Sequence, residues 1–568
     1  MIQTSPKYRC GEKPLYEYVG IHAARWPDKT CMVYYGSEIS YGVFEDAINR
    51  FAAYLHGIGV RQGDNVVIMM YNCPQFMMAF FAVQKIGAVA CPVNPAFRKL
   101  DLEFEINEMK ARVIVANTCL HQLIQAVLPA TSLETVILSP LEHYAADTSA
   151  YPFTVCDADS LPCEGTVSMM EALWNTAPAP PKTKVGMDDV GLILFTSGTT
   201  GLPKGAMLTH GNALYKCAAT SDVSMRGENG VWIQTQPLCH IAGVNYANVA
   251  FYDGAAVVLM ARHSAPSFCE TVAARRCDSW YGTALMAKKI VDLPDIGDYD
   301  MRSLKFSVLS SFGLKSSEGL AEKWRQITCG GILTEGGYGL TESHTMDAIM
   351  PPDGVVWGSN GRAAYGEMGM KIMENGVEVP VGQMGEIALK NKGIFKGYLN
   401  HPEATARILR DGWLYTGDLG CMDENAYLYF MGRRKDMMKI HGFSVFPDEV
   451  EMYLNMHPAI EKSAVVGKTA DEPAARRPGG QMPKRAAGRT QKKEPRLILK
   501  AFVVLHEAYK GKISAADILE WAAENMASYK CPCELEFLAC LPCTETGKIQ
   551  RELLRARENG GAAEWSKI

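Results

Sequence analysis

Phe195-Thr196-Ser197-Gly198-Thr199-Thr200-Gly201-Leu202-Pro203-Lys204-Gly205 is the most informative stretch of this 568-residue chain. It follows an apolar run, Val190 to Phe195, that reads as a strand. A strand entering a Gly/Thr/Ser loop suits phosphate binding, because small residues let backbone N–H groups converge on an anion and a lysine adds a point charge. Thr196, Ser197, Gly198, Thr199 and Thr200 are therefore nucleotide-binding candidates, with Thr196 also a candidate metal ligand and Lys204 a candidate catalytic cation. The loop is not a Walker A motif, since no Gly-Lys-Ser/Thr follows Gly198 at the required spacing. That disfavours kinases and ordinary ATPases. A chance surface turn would not keep so specific an order.

Working outward, the chain from about residue 15 to 430 alternates helical and strand-like segments. Phe44 to Gly57 has apolar residues at helical spacing, Asn65 to Tyr71 is a β-rich run, Pro74 to Ile86 reads as a helix and Gly87 to Val93 as a strand. Arg112 to Ala116 and Thr135 to Leu138 continue the strand series. This rhythm predicts an α/β fold with open parallel or mixed sheets covered by helices. No short-period repeat is present. The last 130 or so residues differ: strands near Ile460 to Val466 and Leu497 to Leu505, and an amphipathic helix from Ser514 to Met526, predict a small α+β domain over 435–568 after a large domain over 1–434.

The bulk properties narrow the class. Hydrophobic residues at 48% and charged residues at 21% are ordinary globular values. A net charge of −5 gives no reason to expect nucleic acid as a partner. Seventeen cysteines spread along the chain, with no signal-peptide pattern in MIQTSPKYRCGEKP, predict free thiols in a cytoplasmic setting. The most apolar stretch, Phe76 to Val93, is interrupted by Gln84, Lys85 and Gly87 and is not a membrane span. The segment 473–496 carries eight basic residues and one acid, Glu494. It reads as a solvated loop, with a polyanion contact (phospholipid headgroup, CoA phosphates or RNA) as the sharper alternative.

Four further blocks follow in order. They are Gly336-Gly337-Tyr338-Gly339-Leu340-Thr341-Glu342, Tyr415-Thr416-Gly417-Asp418, Gly432-Arg433-Arg434-Lys435-Asp436 with Lys439 and Gly442, and Pro542 with Thr546-Gly547-Lys548. Each makes physical sense alone. Tyr338 offers an aromatic face for a purine, with Gly336 and Gly337 allowing close approach. Glu342 is a hard oxygen ligand suited to Mg²⁺. Asp418 sits in a turn where a carboxylate can accept ribose hydroxyls. Arg433 can hold phosphate or ribose with its fork. In isolation each also has a plain surface reading.

Together with the loop, these blocks resemble the adenylate-forming superfamily over nearly the whole chain: acyl-CoA synthetases, aryl-CoA ligases, luciferases and peptide-synthetase adenylation domains. The resemblance implies ATP, Mg²⁺ and coenzyme A as co-substrates, and a two-step reaction through an acyl-adenylate. It implies that Thr196, Thr199, Lys204, Thr341, Glu342 and Lys548 serve adenylation, with Lys548 neutralising charge at the α-phosphate. It also implies a mobile small domain that pivots at Lys435, withdraws Lys548 and presents the face bearing Lys439 and Gly442.

Pro237-Leu238-Cys239-His240-Ile241-Ala242-Gly243 resembles the acyl-pocket block of the same family, with His240 gating the acyl channel or orienting the carboxylate; a satisfied core histidine is the plainer alternative. No aspartate lies between Gln236 and Tyr246 to hold an α-amine. The expected acid is a medium- or long-chain fatty acid, with an aryl or alicyclic acid, or a carrier-protein acceptor, as alternatives. A non-catalytic sensor is the reading from a different class. Expected partners are the acid, ATP and CoA, with peripheral membrane contact through the basic loop and a homodimer as further candidates. One departure is Ser310-Ser311-Phe312-Gly313, where relatives carry a small Gly-Gly-Ala-Pro-like turn. Cys531, Cys533, Cys540 and Cys543 have zinc-like spacing but fall in strand-like sequence, where side chains diverge.

Overall fold

The computed structural model describes residues 4–146, 165–196, 202–224, 227–310, 316–433, 438–440, 443–445, 447–470, 496–542, 549 and 551–558. The chain divides into two compact units. One comprises Met1–Pro95, Ile106–Thr196 and Gly205–Arg434; the other Ala96–Glu105, Ser197–Lys204 and Lys435–Ile568.

The first unit is built on two large sheets. The seven-stranded one runs Ile332–Glu335, Phe306–Ser310, Ser279–Thr283, Val231–Gln234, Ala256–Leu259, Thr30–Tyr34, Ser37–Ser40, and only the last pair is antiparallel. The eight-stranded one holds Val190–Thr196 beside Val89–Pro92, then Asn65–Met69, Val113–Asn117 and Thr135–Ser139 in parallel. Strands buried on both faces are near-continuous apolar runs, as NVVIM at Asn65–Met69 and VIVAN at Val113–Asn117 show. One hydrophobic core joins residues of both sheets through the helices Leu15–Arg25, Tyr41–Gly57, Pro74–Lys85 and Ile241–Asp253. The helix Pro74–Lys85 buries eleven of its twelve residues, so it has no solvent stripe and belongs between layers. A second core, with Trp280 stacked on Trp324 at 5.3 Å, covers the outer face of the seven-stranded sheet. A further, antiparallel sheet spans Gly369–Glu374, Gly385–Lys390, Trp413–Met422 and Leu428–Arg433.

In the second unit Ile460–Ala470 pairs antiparallel with Arg496–Leu505, and Glu534–Phe537 lies parallel to the latter. The helix Ala515–Asn525 starts at a capping box in which Ser514 and Asp517 satisfy each other's backbone donors. Both strands and this helix stand where the sequence puts them. Of the basic segment 473–496, only Arg496 falls among the described residues.

Candidate active site at the carboxyl edge of the seven-stranded sheet

Four neighbouring parallel strands, Val231–Gln234, Ser279–Thr283, Phe306–Ser310 and Ile332–Glu335, end side by side: Thr283 pairs with Ser310 and Leu309 with Glu335. The crevice outside the carboxyl ends of such strands is where α/β folds bind ligands. His240 and the block Gly336–Glu342 are what the chain places there.

Backbone crowding explains the glycines of that block. A Cβ on Gly337, whose φ is 138°, would lie 2.1 Å from the Ala348 carbonyl oxygen, and one on Gly339 would lie 2.4 Å from the Met346 nitrogen. Tyr338, between them, is buried. Its ring stacks on Phe430 at 5.8 Å and its hydroxyl donates to Asp418 Oδ2 at 2.8 Å. Burial and the Asp418 carboxylate push the phenol well above its ordinary value, so it stays protonated and remains a donor. Asp418 is 2% exposed and sits across the ladder from Arg433. The turn before it is fixed by Gly417 N–H donating to Glu386 Oε1 at 2.8 Å and the Thr416 hydroxyl donating to the Ile387 carbonyl at 2.8 Å.

Glu342 lies in the short 3-10 turn Thr341–Ser343. Its Oε1 accepts from the Tyr398 hydroxyl at 2.6 Å, and its backbone carbonyl accepts from Phe395 N–H at 2.8 Å. Tyr398 pairs with Ala206, and Leu399 N–H donates to the Gly205 carbonyl at 2.8 Å. The carboxylate is thus tied to the strand Lys204–Thr209. A carboxylate held at one oxygen still offers the other to a hard cation, so the donor set fits Mg²⁺.

After Ser343 the backbone turns left-handed at three successive non-glycine residues, His344, Thr345 and Met346, with φ of 55°, 58° and 52°. Each costs about 1–2 kcal/mol. Thr345 N–H donating to the Leu340 carbonyl at 2.7 Å and Asp347 N–H to the Tyr338 carbonyl at 2.8 Å hold the turn closed. It delivers Met346 to an apolar cavity of about 20 Å³ whose walls include Trp232, Tyr246, Tyr281, Val308 and Ile349. No described lining residue carries a charge.

His240 is exposed, not a core histidine. It caps the helix Ile241–Asp253, its Nδ1 accepting from Ala242 N–H at 3.3 Å, which leaves the neutral ring's proton on Nε2. Thr196 ends its strand and Lys204 opens the next, Lys204–Thr209. Arg433 and Lys439 are described through their backbone alone. Ser197, Gly198, Thr199, Thr200, Phe312, Lys435, Gly442, Cys543 and Lys548 lie outside the described residues. Cys531 directs its thiol at backbone carbonyls of Ala522, Met526 and Ala527, and among the described residues no group of three or more His, Cys, Asp or Glu could hold a metal ion. Sequence reasoning missed Tyr398 and Tyr338's hydroxyl bond. The first is 56 residues from Glu342 and only the Gly-Tyr pair marks it; the second joins residues 80 apart.

Residues 21–399 match the AMP-binding enzyme family, and residues 488–548 match the AMP-binding enzyme C-terminal domain. The chain belongs to this family. It is 29% identical to the long-chain-fatty-acid–CoA ligase of Bacillus subtilis (strain 168) over 96% of this chain and 95% of that one. It is 28% identical to 4-coumarate–CoA ligase 1 of Solanum tuberosum over 96% and 94%. Its fold matches a long-chain-fatty-acid–CoA ligase from Archaeoglobus fulgidus with TM-score 0.75 at 22% identity, covering 95% of this chain and 99% of that one. The protein is therefore an AMP-forming carboxylic acid–CoA ligase, an acid–thiol ligase that uses ATP, Mg²⁺ and coenzyme A.

Proposed function

We propose that the acid is a monocarboxylic acid with an uncharged, apolar acyl group that packs against the wall formed by Trp232, Tyr246, Val308 and Met346. The observation that carries this is the single segment Tyr338–Asp347: it holds Glu342 at one point and puts Met346 in the wall of a cavity lined without charge. A dicarboxylate or an amino acid would leave a charge unpaired there.

In the first step a carboxylate oxygen attacks the α-phosphorus of MgATP. The new P–O bond gives acyl-AMP, and the bond to the bridging oxygen breaks to release pyrophosphate. We assign phosphate contacts to Thr196, Ser197, Gly198, Thr199, Thr200 and Lys204, the magnesium ligation to Thr196 and Glu342 with Thr341 beside it, and the ribose to Asp418 and Arg433. Gly336, Gly337 and Tyr338 form the adenine wall, and Lys548 neutralises charge at the α-phosphate. In the second step the CoA thiolate attacks the acyl carbonyl, a C–S bond forms and AMP leaves. His240, exposed at the start of the helix Ile241–Asp253, orients the incoming carboxylate; Lys439 and Gly442 serve the thioester step.

Medium- and long-chain fatty acids are the first class, supported by the bacterial relatives named for that substrate. The aromatic side chains of that wall favour a compact aryl or alicyclic acid as the second reading. AMP release measured with and without CoA across linear, aryl, alicyclic and dicarboxylic acids tests the proposal. Turnover confined to uncharged acyl groups is expected; preference for a dicarboxylate or an amino acid overturns it. We further place the enzyme in the cytoplasm, supported by the free thiols of all fourteen described cysteines. The basic composition of 473–496 supports peripheral contact with anionic lipid.

A further inference from the structure

Lys216, on the helix His210–Ser224, is a fully buried lysine whose side chain is 0% exposed, facing an Asp347 side chain that is 1% exposed. Nζ lies 2.6 Å from Asp347 Oδ1 and donates to the Met346 carbonyl at 3.3 Å. Asp347 Oδ1 also accepts from Asn391 Nδ2 at 2.8 Å, and Oδ2 accepts from the Ser343 hydroxyl. The same hydroxyl accepts from Leu340 N–H at 3.2 Å. A Cβ on Gly393 would lie 2.1 Å from Lys216 Cε, so the lysine stem occupies space that only glycine leaves. Asn212 Nδ2 donates to the carbonyls of Lys392 and Ile394 at 2.7 and 3.0 Å, tying the start of the same helix to the segment that reaches Glu342 through Phe395.

These bonds converge on one place: the left-handed run His344–Thr345–Met346, which joins Glu342 to the acyl cavity. A buried ion pair is a weak source of net stability compared with apolar residues of the same volume. Its bonds here run instead to the two ends of the turn, Ser343 and Asp347, and to the carbonyl of the cavity residue Met346. We propose that Lys216–Asp347 is a positioning pair that fixes the turn, so that one clamp sets both the MgATP-binding carboxylate of Glu342 and the Met346 wall of the acyl cavity. This rests on the reading of Glu342 as the MgATP ligand.

The test uses the full-length enzyme with Lys216→Met, Asp347→Asn and the double variant. Melting temperature, KM for MgATP, kcat, and relative kcat/KM for a short and a long acid are measured. Each single variant lowers the melting temperature by leaving one partner unpaired. The double variant recovers most of that loss, because no charge remains orphaned. It still shows KM for MgATP raised by about 10- to 100-fold, the usual cost of removing the partner behind a metal ligand, and a changed ratio between the two acids. Thioester formation from supplied acyl-AMP loses less than adenylation, because it needs the Met346 wall but not MgATP. Recovered melting with wild-type KM and wild-type acid ratio overturns the proposal, since the pair would then be structural alone. Ser343→Ala, a smaller change, provides the second arm: a raised KM for MgATP with a modestly lowered melting temperature is expected, and an unchanged KM counts against the clamp. Glu342→Gln separates the underlying reading, because an unchanged KM for MgATP there refutes the ligand assignment and not the clamp.

Discussion

Tyr398→Phe tests the geometry of the Glu342 corner with a one-atom change. The ring packs edge-on against Phe395 at 4.9 Å, and phenylalanine keeps that contact. What is lost is the 2.6 Å bond from the phenol to Glu342 Oε1. A hydrogen bond to a charged group contributes about 1.5–3 kcal/mol. Tyr398 is half-buried, so water screens part of that and the lower end applies. At about 1.4 kcal/mol per tenfold, 1.5 kcal/mol corresponds to about a tenfold weaker hold on MgATP. Two assays separate the effect. In acid-dependent pyrophosphate exchange the Mg²⁺ titration shifts about tenfold to higher concentration, and added Mg²⁺ restores the rate. In thioester formation from supplied acyl-AMP the rate stays at the wild-type level. Wild-type Mg²⁺ dependence in the variant, or equal loss in both assays, refutes the argument that Tyr398 orients a metal-binding carboxylate.

Lys548→Ala abolishes adenylation while leaving thioester formation from supplied acyl-AMP largely intact; equal loss of both steps removes the proposed role. Tyr246→Ala opens the cavity beside Trp232, which stands 4.8 Å from it, and shifts kcat/KM toward bulkier acids in competition assays; an unchanged ratio means the acyl group lies elsewhere. His344 is fully buried, neither ring nitrogen has a hydrogen-bond partner among the described residues, and burial pushes it down to about 3 from an ordinary 6.5. The unfolded chain therefore binds the proton first as pH falls, and the stability from the neutral ring, complete above pH 6.5, is lost toward pH 3 at up to about 1.4 kcal/mol per pH unit. His344→Asn, which tolerates the left-handed backbone, flattens the acid limb of melting temperature against pH; a limb parallel to wild type refutes the assignment.

The strands were legible because burial on both faces demands unbroken apolar runs. NVVIM and the run ending at Thr196 announce themselves without neighbours. The glycines around Tyr338 were legible as a demand for close approach. The structure shows that much of the crowding comes from the protein's own backbone, at Ala348 and at Thr345–Met346. His240 was legible as a special residue, but two alternatives stood open. The structure shows it exposed and capping the helix Ile241–Asp253 through Nδ1, which removes the core-histidine alternative.

What stayed hidden are pairings across long stretches of chain. Lys216 and Asp347 stand 131 residues apart, and Tyr338 and Asp418 stand 80 apart. Nothing local marks Lys216: a lysine in a helix reads as a solvated residue, and only the packing of Gly393 against its stem shows that the position is closed to water. Nor does sequence reveal that His344, Thr345 and Met346 adopt a left-handed run, because only His344 is a type enriched there and neither Thr345 nor Met346 asks for it. The run exists because Asp347 is held from outside by Lys216 and Asn391 while Leu340 and Tyr338 hold it from within. Local preference and tertiary bonding disagree at this turn, and such disagreement is expected where a protein builds a site and not a core. The strain and the buried pair are therefore one feature: the pair adds to the backbone bonds that keep the turn left-handed, and the turn sets the relation between Glu342 and Met346.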